Sequence, residues 1–158
     1  MTEQPKVSII TPSYNQARFL EQTMRSVLEQ DYPNLEYIVI DGGSKDGSRE
    51  IIQKYADRLA YWQSQKDKGQ TDAINQGFAR ATGEILAWLN SDDVFYPGAV
   101  SAAVRQLQRH PEVGMVYGNC HWINAEGKVI GDFPAAQTDL KKLRRGYVHI
   151  PQQTAFFR

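Results

Sequence analysis

The fold is decided by Val7-Ser8-Ile9-Ile10-Thr11-Pro12-Ser13-Tyr14-Asn15, where a short apolar run passes directly into a polar loop. An apolar run of this length, rich in β-branched residues, predicts a buried strand. Residues 19–28 then repeat apolar side chains at helical spacing, and Asn15 is the expected N-cap of that helix. The first 28 residues therefore predict a strand followed by a helix.

The same pattern repeats up to Asp93. Further strands are predicted at 37–40, 59–62 and 85–89, with helices at 51–55 and 71–81, the second of them ended by Gly83. Alternating strands and helices predict right-handed βαβ units and a mainly parallel sheet flanked by helices. Beyond Asp93 a helix begins near Pro97, and short strands near 115–117 and 121–123 predict a mixed C-terminal part. The expected class is α/β, in one domain spanning 1–158.

The composition of the chain limits the classes of partner and the cellular location that we expect. The chain has 158 residues with 18 Lys plus Arg and 18 Asp plus Glu, and this balance argues against nucleic acid as a partner. The single cysteine, Cys120, has no internal disulfide partner, and no apolar run reaches membrane-spanning length, so a cytoplasmic protein is expected. A basic run at 141–145 favours a solvated helix face over contact with lipid phosphate, and peripheral membrane contact stays open.

Three polar clusters follow three of the predicted strands. They are residues 11–15, residues 41–48 and residues 90–93. In an open parallel sheet these loops share the carboxyl edge, where ligands bind. The clusters together predict one polar binding site.

Asp92 and Asp93 are the most informative pair in these clusters. Two adjacent carboxylates at the end of an apolar strand repel each other unless a cation lies between them. Mg²⁺ or Mn²⁺ would meet that need and would stabilise a departing diphosphate. The alternative is that Asp93 precedes the next helix while Asp92 is solvated. With the other clusters present, metal binding is the favoured interpretation.

Asp41 follows a buried strand, where a carboxylate can accept hydrogen bonds from a base or a ribose. Gly42 and Gly43 would let the backbone approach a ligand closely. The alternative is a plain strand-to-helix turn capped by Asp46 or Ser48. A phosphate loop is excluded because Ser48 stands where lysine is required, and no dinucleotide G-x-G-x-x-G pattern is present.

Four motifs in order resemble the family 2 glycosyltransferases. They are residues 7–15, 39–48, 68–84 and 89–93, which cover most of the chain. The resemblance implies the GT-A fold and an enzyme, typically inverting, that transfers a sugar from a UDP, GDP or dTDP donor. The acceptor would be a carbohydrate or lipid-linked hydroxyl, in the synthesis of bacterial surface polysaccharide or glycolipid. Residues 1–93 would form the nucleotide-binding half, and 94–158 would begin the acceptor-side half.

The resemblance also implies roles for individual residues. Asp92 would be the catalytic metal ligand, assisted by Asp93. His149 and Gln153 would lie on the acceptor side. The residues implied at the donor are Thr11, Pro12, Ser13, Tyr14, Asn15, Asp41, Gly42, Gly43, Asp72, Asn75, Asn90 and Ser91.

The sequence departs from the family pattern in two ways. Asn90 replaces a common Asp, which removes one negative charge beside the metal. No acid follows the block at 149–157 to act as general base, so we expect a donor-binding portion, weak or inactive in transfer by itself. The alternative function is a non-catalytic nucleotide-sugar binding module. A nucleotidyltransferase ranks last, because residues 11–15 contain neither glycine nor a basic residue.

Overall fold

The computed structural model describes residues 4–146 and 149–158. The elements are β1 (Val7–Ser13), α1 (Ala17–Leu28), β2 (Leu35–Asp41), α2 (Ser48–Lys54), β3 (Tyr61–Ser64), α3 (Gln70–Phe78), β4 (Ile85–Trp88), α4 (Ala99–Arg109), β5 (Met115–Val116), β6 (Cys120–Ile123), β7 (Val129–Phe133), α5 (Leu140–Arg144) and β8 (Phe156–Phe157). Single 3₁₀ turns lie at Ala56–Arg58 and Gln152–Thr154.

The central sheet has the strand order β3-β2-β1-β4-β8-β5. The first four strands in this order are parallel, whereas β8 runs antiparallel to both of its neighbours. Strands β6 and β7 form a separate antiparallel hairpin. The predicted α/β class, with a mainly parallel sheet flanked by helices and a mixed C-terminal part, is confirmed.

Both faces of the sheet are covered. Ile9 packs into a core with residues of α1, α2 and α4, whereas Ile10 packs on the opposite face with Ala73 of α3. All seven residues of β1 are buried. A strand buried on both faces has a continuous apolar run rather than an alternating pattern. The apolar run at the beginning of β1 therefore predicted a buried strand.

Helix α3 approaches the sheet closely at Gly77. A Cβ built on Gly77 would lie 2.4 Å from Cγ2 of Ile10, so only glycine allows the helix to lie at this distance. The contact between Gly77 and Ile10 sets the distance between α3 and β1. The beginning of α3 is thereby held beside the carboxyl edge of the sheet.

Three local predictions were wrong. Gln16, not Asn15, precedes α1, because Asn15 has a φ of 51° and the carboxylate of Asp46 accepts from the Ala17 N–H at 2.8 Å. Gly83 does not end α3, which stops at Phe78. Instead the Gly83 N–H donates to Ser8 Oγ at 2.8 Å, where a side chain would clash. The third strand begins two residues later than predicted, at Tyr61.

The basic run at 141–145 begins on α5, a short helix that ends at Arg144 and on which Leu140 is 65% exposed, and Arg145 follows the helix. Within the described part of the chain, no helix combines the length and the apolar character that a bilayer crossing requires.

Candidate donor-binding site

The ends of three parallel strands lie side by side. Ser13 at the end of β1 is in register with Asp41 at the end of β2, and Asp41 is in register with Ser64 at the end of β3. The loops that follow them leave the sheet on the same edge, as the parallel order requires. The polar clusters after β1, β2 and β4 are therefore neighbours in space.

A cavity of about 820 Å³ opens at this edge. Eight of the residues predicted for the site line it, namely Pro12, Ser13, Tyr14, Gly42, Gly43, Asn90, Ser91 and Asp92. Tyr14 is 63% exposed, so its ring is free to contact a ligand. The hydroxyl of Ser13 is buried in the cavity wall, and no group of residues 4–146 or 149–158 forms a hydrogen bond with it. A buried hydroxyl without a partner is costly, and a bound ligand could relieve that cost.

Six other residues predicted for the donor or the metal lie outside the cavity lining, and most of them support its walls. Thr11 shares a hydrogen bond with the buried Tyr37 hydroxyl at 2.9 Å. Asn15 accepts from the Lys45 N–H, which ties the loop after β1 to the loop after β2. Asp72 accepts from the Lys68 N–H and from the Gln76 amide. Asn75 is exposed on α3, and Asp41 and Asp93 are described below.

Asp41 is fully buried, and its carboxylate is engaged by its own loop and by β3. It accepts from the backbone N–H groups of Gly43 and Ser44 and from the hydroxyls of Ser44 and Ser64. In this arrangement Asp41 shapes the loop that carries Gly42 and Gly43. Its contact with a base or ribose stays a prediction.

Several cavity residues were missed by the sequence reasoning. They are Gln16, Lys45, Lys66, Asp67, Gly69, Gln70 and Ala73. A Cβ built on Gly42 would meet Asp67 Oδ2 at 3.0 Å and Tyr14 Cδ2 at 3.2 Å, so these two groups flank the same glycine. Lys66 and Asp67 follow β3, and the polar character of this loop was the signal that could have found them.

Asp92 is exposed toward the cavity, whereas Asp93 is half-buried behind it. Burial raises the pKa of Asp93, and the neighbouring charge of Asp92 raises it further, while a hydrogen bond from Asn90 opposes both effects. Neither carboxylate forms an ion pair with any residue of 4–146 or 149–158. The pair thus lacks the positive partner that would offset its repulsion.

The residues present fit a hard divalent cation. No cluster of three or more His, Cys, Asp or Glu side chains suited to a metal occurs among the described residues. Mg²⁺ nevertheless needs only one or two protein carboxylates when phosphate oxygens and waters complete its shell. Asp92, with Asp93 beside it, supplies that minimum at the cavity wall.

Asn90 uses its whole side-chain amide. Its Oδ1 accepts from Gln70 at 2.8 Å, and its Nδ2 donates to Asp93 Oδ2 at 3.2 Å and to Gln152 Oε1 at 3.0 Å. Compared with the aspartate common at position 90, Asn90 carries one negative charge less. It also provides two N–H donors that an aspartate would lack.

A second, smaller cavity of about 310 Å³ is lined in part by Asp93. Gln153 lines it and donates to Cys120 Sγ at 3.0 Å. His149 lines neither cavity, and its backbone carbonyl accepts from Ala136. The acceptor-side roles of Gln153 and His149 stay predictions.

The family model described as glycosyl transferase family 2 matches residues 8–156, which include the ends of all four parallel strands that border the larger cavity. The chain belongs to glycosyl transferase family 2. A glycosyltransferase of Mycobacterium tuberculosis, itself named as uncharacterized, is 38% identical over 99% of this chain. One from Nostoc is 38% identical over 71% of the chain. This family 2 chain spans 60% of the length of the mycobacterial relative.

Solved structures agree with this assignment. The mannosyltransferase PcManGT from Pyrobaculum calidifontis, solved with GDP-Man and Mn²⁺, is 32% identical over 74% of this chain and 36% of its own, with a TM-score of 0.67. Staphylococcus aureus TarS 1-349 with UDP-GlcNAc covers 97% of this chain and 45% of its own at a TM-score of 0.78, and its 22% identity shows the fold alone. The family 2 chain therefore has the GT-A fold.

Proposed function

We propose that this chain binds a nucleotide-diphosphate sugar in the larger cavity and that the whole protein transfers the sugar to an acceptor hydroxyl. The observation that carries the proposal is the convergence of Tyr14, Gly42 and Asp92 on one cavity at the carboxyl edge of the sheet. The flat ring of Tyr14 suits a base, and Gly42 lets a ribose approach the backbone closely. The exposed carboxylate of Asp92 suits a metal-bound diphosphate. The GDP-Man and UDP-GlcNAc named for the related structures support this donor class.

The nucleoside would lie between Tyr14 and the loop after β3. Tyr14 offers a ring face for stacking, and Asp67 offers acceptor oxygens beside it. Thr11, Asn15 and Asp41 would hold the surrounding loops in place. UDP, GDP and dTDP are all candidates, since each base carries an N–H group that a carboxylate can bind.

The diphosphate would lie toward β4. Asp92 and Asp93 would hold Mg²⁺ or Mn²⁺, which when bound neutralises the charge on the leaving nucleoside diphosphate. Gln70, at the beginning of α3, and Ser91 border the same region and can donate hydrogen bonds to phosphate oxygens. The main contribution of these residues is to fix the donor so that its anomeric carbon faces the acceptor.

In the whole protein we propose a direct displacement with inversion at the anomeric carbon. A base would take the proton of the acceptor hydroxyl as the new bond forms. Residues 1–93 would supply the donor half of this chemistry, and residues 94–158, with Gln153 and His149, would begin the acceptor half.

We further propose a role in bacterial surface polysaccharide or glycolipid synthesis, in the cytoplasm at the inner face of the membrane. Its bacterial relatives and the basic residues Lys141, Lys142 and Arg144 on α5 support it. Anionic lipid headgroups would attract such a helix. Binding of the protein to vesicles with and without anionic lipid would test this part of the proposal.

The test of donor binding is calorimetric titration of UDP, GDP and dTDP with and without Mn²⁺. We expect one nucleotide to bind more tightly with the metal, and Asp92→Asn to remove that gain while leaving metal-free binding within about twofold. Asp132→Asn, an exposed acid on β7, is the matched control and should change neither value. Absence of any nucleotide binding by the unmodified protein would contradict the proposal. Binding without transfer or donor hydrolysis would favour the non-catalytic module.

A further inference from the structure

Gln152 and Asn90 lie 62 residues apart in sequence and are joined by their side-chain amides. Gln152 Oε1 accepts from Asn90 Nδ2 at 3.0 Å, and Gln152 Nε2 donates to the backbone carbonyl of Trp88 at 2.7 Å. The 3₁₀ turn at Gln152–Thr154 is thus connected to the end of β4 and to the loop that carries Asp92 and Asp93. The adjacent Gln153 points elsewhere, to Cys120.

The Trp88 carbonyl determines how both amides are oriented. A carbonyl oxygen can only accept, so Gln152 must turn its Nε2 toward Trp88 and its Oε1 toward Asn90. Asn90 must then present Nδ2 to Gln152, and the same nitrogen donates to Asp93 Oδ2 at 3.2 Å. Asn90 Oδ1 is left to accept from Gln70, as observed. One backbone oxygen therefore fixes two side chains in series.

We propose that Gln152 is a positioning residue of the metal site, acting through Asn90 on the carboxylate of Asp93. The proposal rests on the proposed function, in which Asp92 and Asp93 hold the cation that binds the donor. It accounts for an amide at position 90, where the family commonly has an acid. An aspartate there would turn acceptor oxygens toward both Gln152 Oε1 and Asp93.

Partners that orient metal ligands matter for affinity even though they do not touch the metal. Loss of such a partner commonly lowers metal affinity by about 10- to 100-fold. Because Gln152 acts through one intervening residue, we expect an effect at the lower end, about tenfold. The predicted effect falls on the metal-dependent part of nucleotide binding, since Gln152 does not line the larger cavity.

The experiment compares Gln152→Met with Thr154→Val by titrating Mn²⁺ in the presence of the nucleotide that the protein binds best. Methionine keeps the length of the side chain and removes both hydrogen bonds. Thr154→Val removes the hydroxyl that bonds to Gly118 from the same 3₁₀ turn, without touching Asn90. We expect Mn²⁺ to bind about tenfold more weakly to Gln152→Met and within about twofold of the original affinity to Thr154→Val. Nucleotide binding without metal should be equal in all three proteins.

A double variant tests whether Gln152 acts through Asn90. If it does, Asn90→Ala combined with Gln152→Met should bind Mn²⁺ no more weakly than Asn90→Ala alone, whereas independent effects would multiply. Gln152→Asn, whose shorter amide cannot reach both partners, is the milder variant if Gln152→Met does not fold. It should show the same sign of change.

Two results would overturn this inference while leaving the proposed function intact. They are an unchanged Mn²⁺ affinity in Gln152→Met, or a loss of Mn²⁺ affinity in Thr154→Val equal to that in Gln152→Met. A lack of metal-dependent binding by the unmodified protein would instead overturn the proposed function, and this inference with it.

Discussion

The carboxylate of Asp41 accepts a hydrogen bond from the Ser64 hydroxyl at 2.7 Å, which joins the ends of β2 and β3 beneath the larger cavity. Three more donors from Gly43 and Ser44 reach the same carboxylate. The acid that the sequence pattern assigns to the ligand is therefore also a structural anchor of the cavity wall. We therefore expect a substitution of Asp41 to disturb the cavity wall, whether or not this residue also contacts a ligand.

Replacing Asp41 with Ala should lower the free energy of unfolding by about 2–4 kcal/mol, because buried N–H and O–H groups lose their acceptor. Ser64→Ala removes only one of these donors and should cost about 1 kcal/mol. Urea unfolding followed by circular dichroism would measure both. Equal stability of Asp41→Ala and the unmodified protein would show that the carboxylate is not an anchor.

Replacing Tyr14 with Ala should weaken nucleotide binding by about 5- to 150-fold, because stacking of an aromatic ring on a base contributes about 1–3 kcal/mol. Tyr96→Ala is the matched control, since Tyr96 is similarly exposed, at 58%, but lies outside the larger cavity. Calorimetric titration with the preferred nucleotide would measure the difference. Similar affinities of the two variants would place the base away from Tyr14.

Glu36 makes folding stability depend on pH. Burial by itself raises the pKa of Glu36, but hydrogen bonds from Ser8, Thr82 and Lys6 outweigh it and lower that pKa to about 2. Because the pKa is lower in the folded state, the stabilisation is present above the unfolded value near 4.5 and is lost as pH falls from there toward 2. We expect Glu36→Gln to be less stable by about 2 kcal/mol at pH 7, with the difference shrinking by pH 3.

Urea unfolding at pH 7, 5 and 3 would measure this effect. The control is Glu50→Gln, an exposed acid on α2, which should follow the unmodified protein at every pH. A constant gap between Glu36→Gln and the unmodified protein across the series would contradict the assigned pH dependence.

Replacing Gly77 with Ala should destabilise the fold by about 1–3 kcal/mol, although alanine is the better helix former. The added methyl would lie 2.4 Å from Ile10, so α3 or β1 must shift. Gly114→Ala should be nearly neutral, because in the described part of the chain no atom other than those of Gly114 and its two chain neighbours lies within 4 Å of the added methyl. The double variant Gly77→Ala with Ile10→Ala should be more stable than the sum of its single effects predicts, because the clash is then relieved.

The parts of the fold that the sequence predicted depend on local patterns. Strands β1, β2 and β4 lie where apolar runs indicated them, and the loops that follow them converge because parallel strands end on one edge. The end of β3 was placed too early, since only Gln63 of its four residues is buried. The polar residues just after it, Lys66 and Asp67, were therefore not assigned to the rim of the cavity.

Features that depend on distant contacts were not predictable from local sequence. Asn15 is a common N-cap residue type, yet the N–H at the beginning of α1 is bonded by Asp46 from another loop. Asp41 was assigned to a ligand because its position fits one, whereas its four hydrogen bonds depend on β3 and on the shape of its own loop. The hydrogen bond between Asn90 and Gln152 joins residues 62 positions apart, and no helical or strand pattern in the sequence connects them.

Strand β8 lies between β4 and β5 in the sheet, although it follows them by about forty residues or more in the chain. During synthesis on a ribosome, the edge of β4 that pairs with β8 therefore has no β8 to pair with until Phe156 and Phe157 have been made. An open strand edge attracts other chains, so we expect the nascent protein to expose a surface that chaperones can cover until β8 has been made. Only the arrival of β8 closes that edge and brings β5 into the sheet.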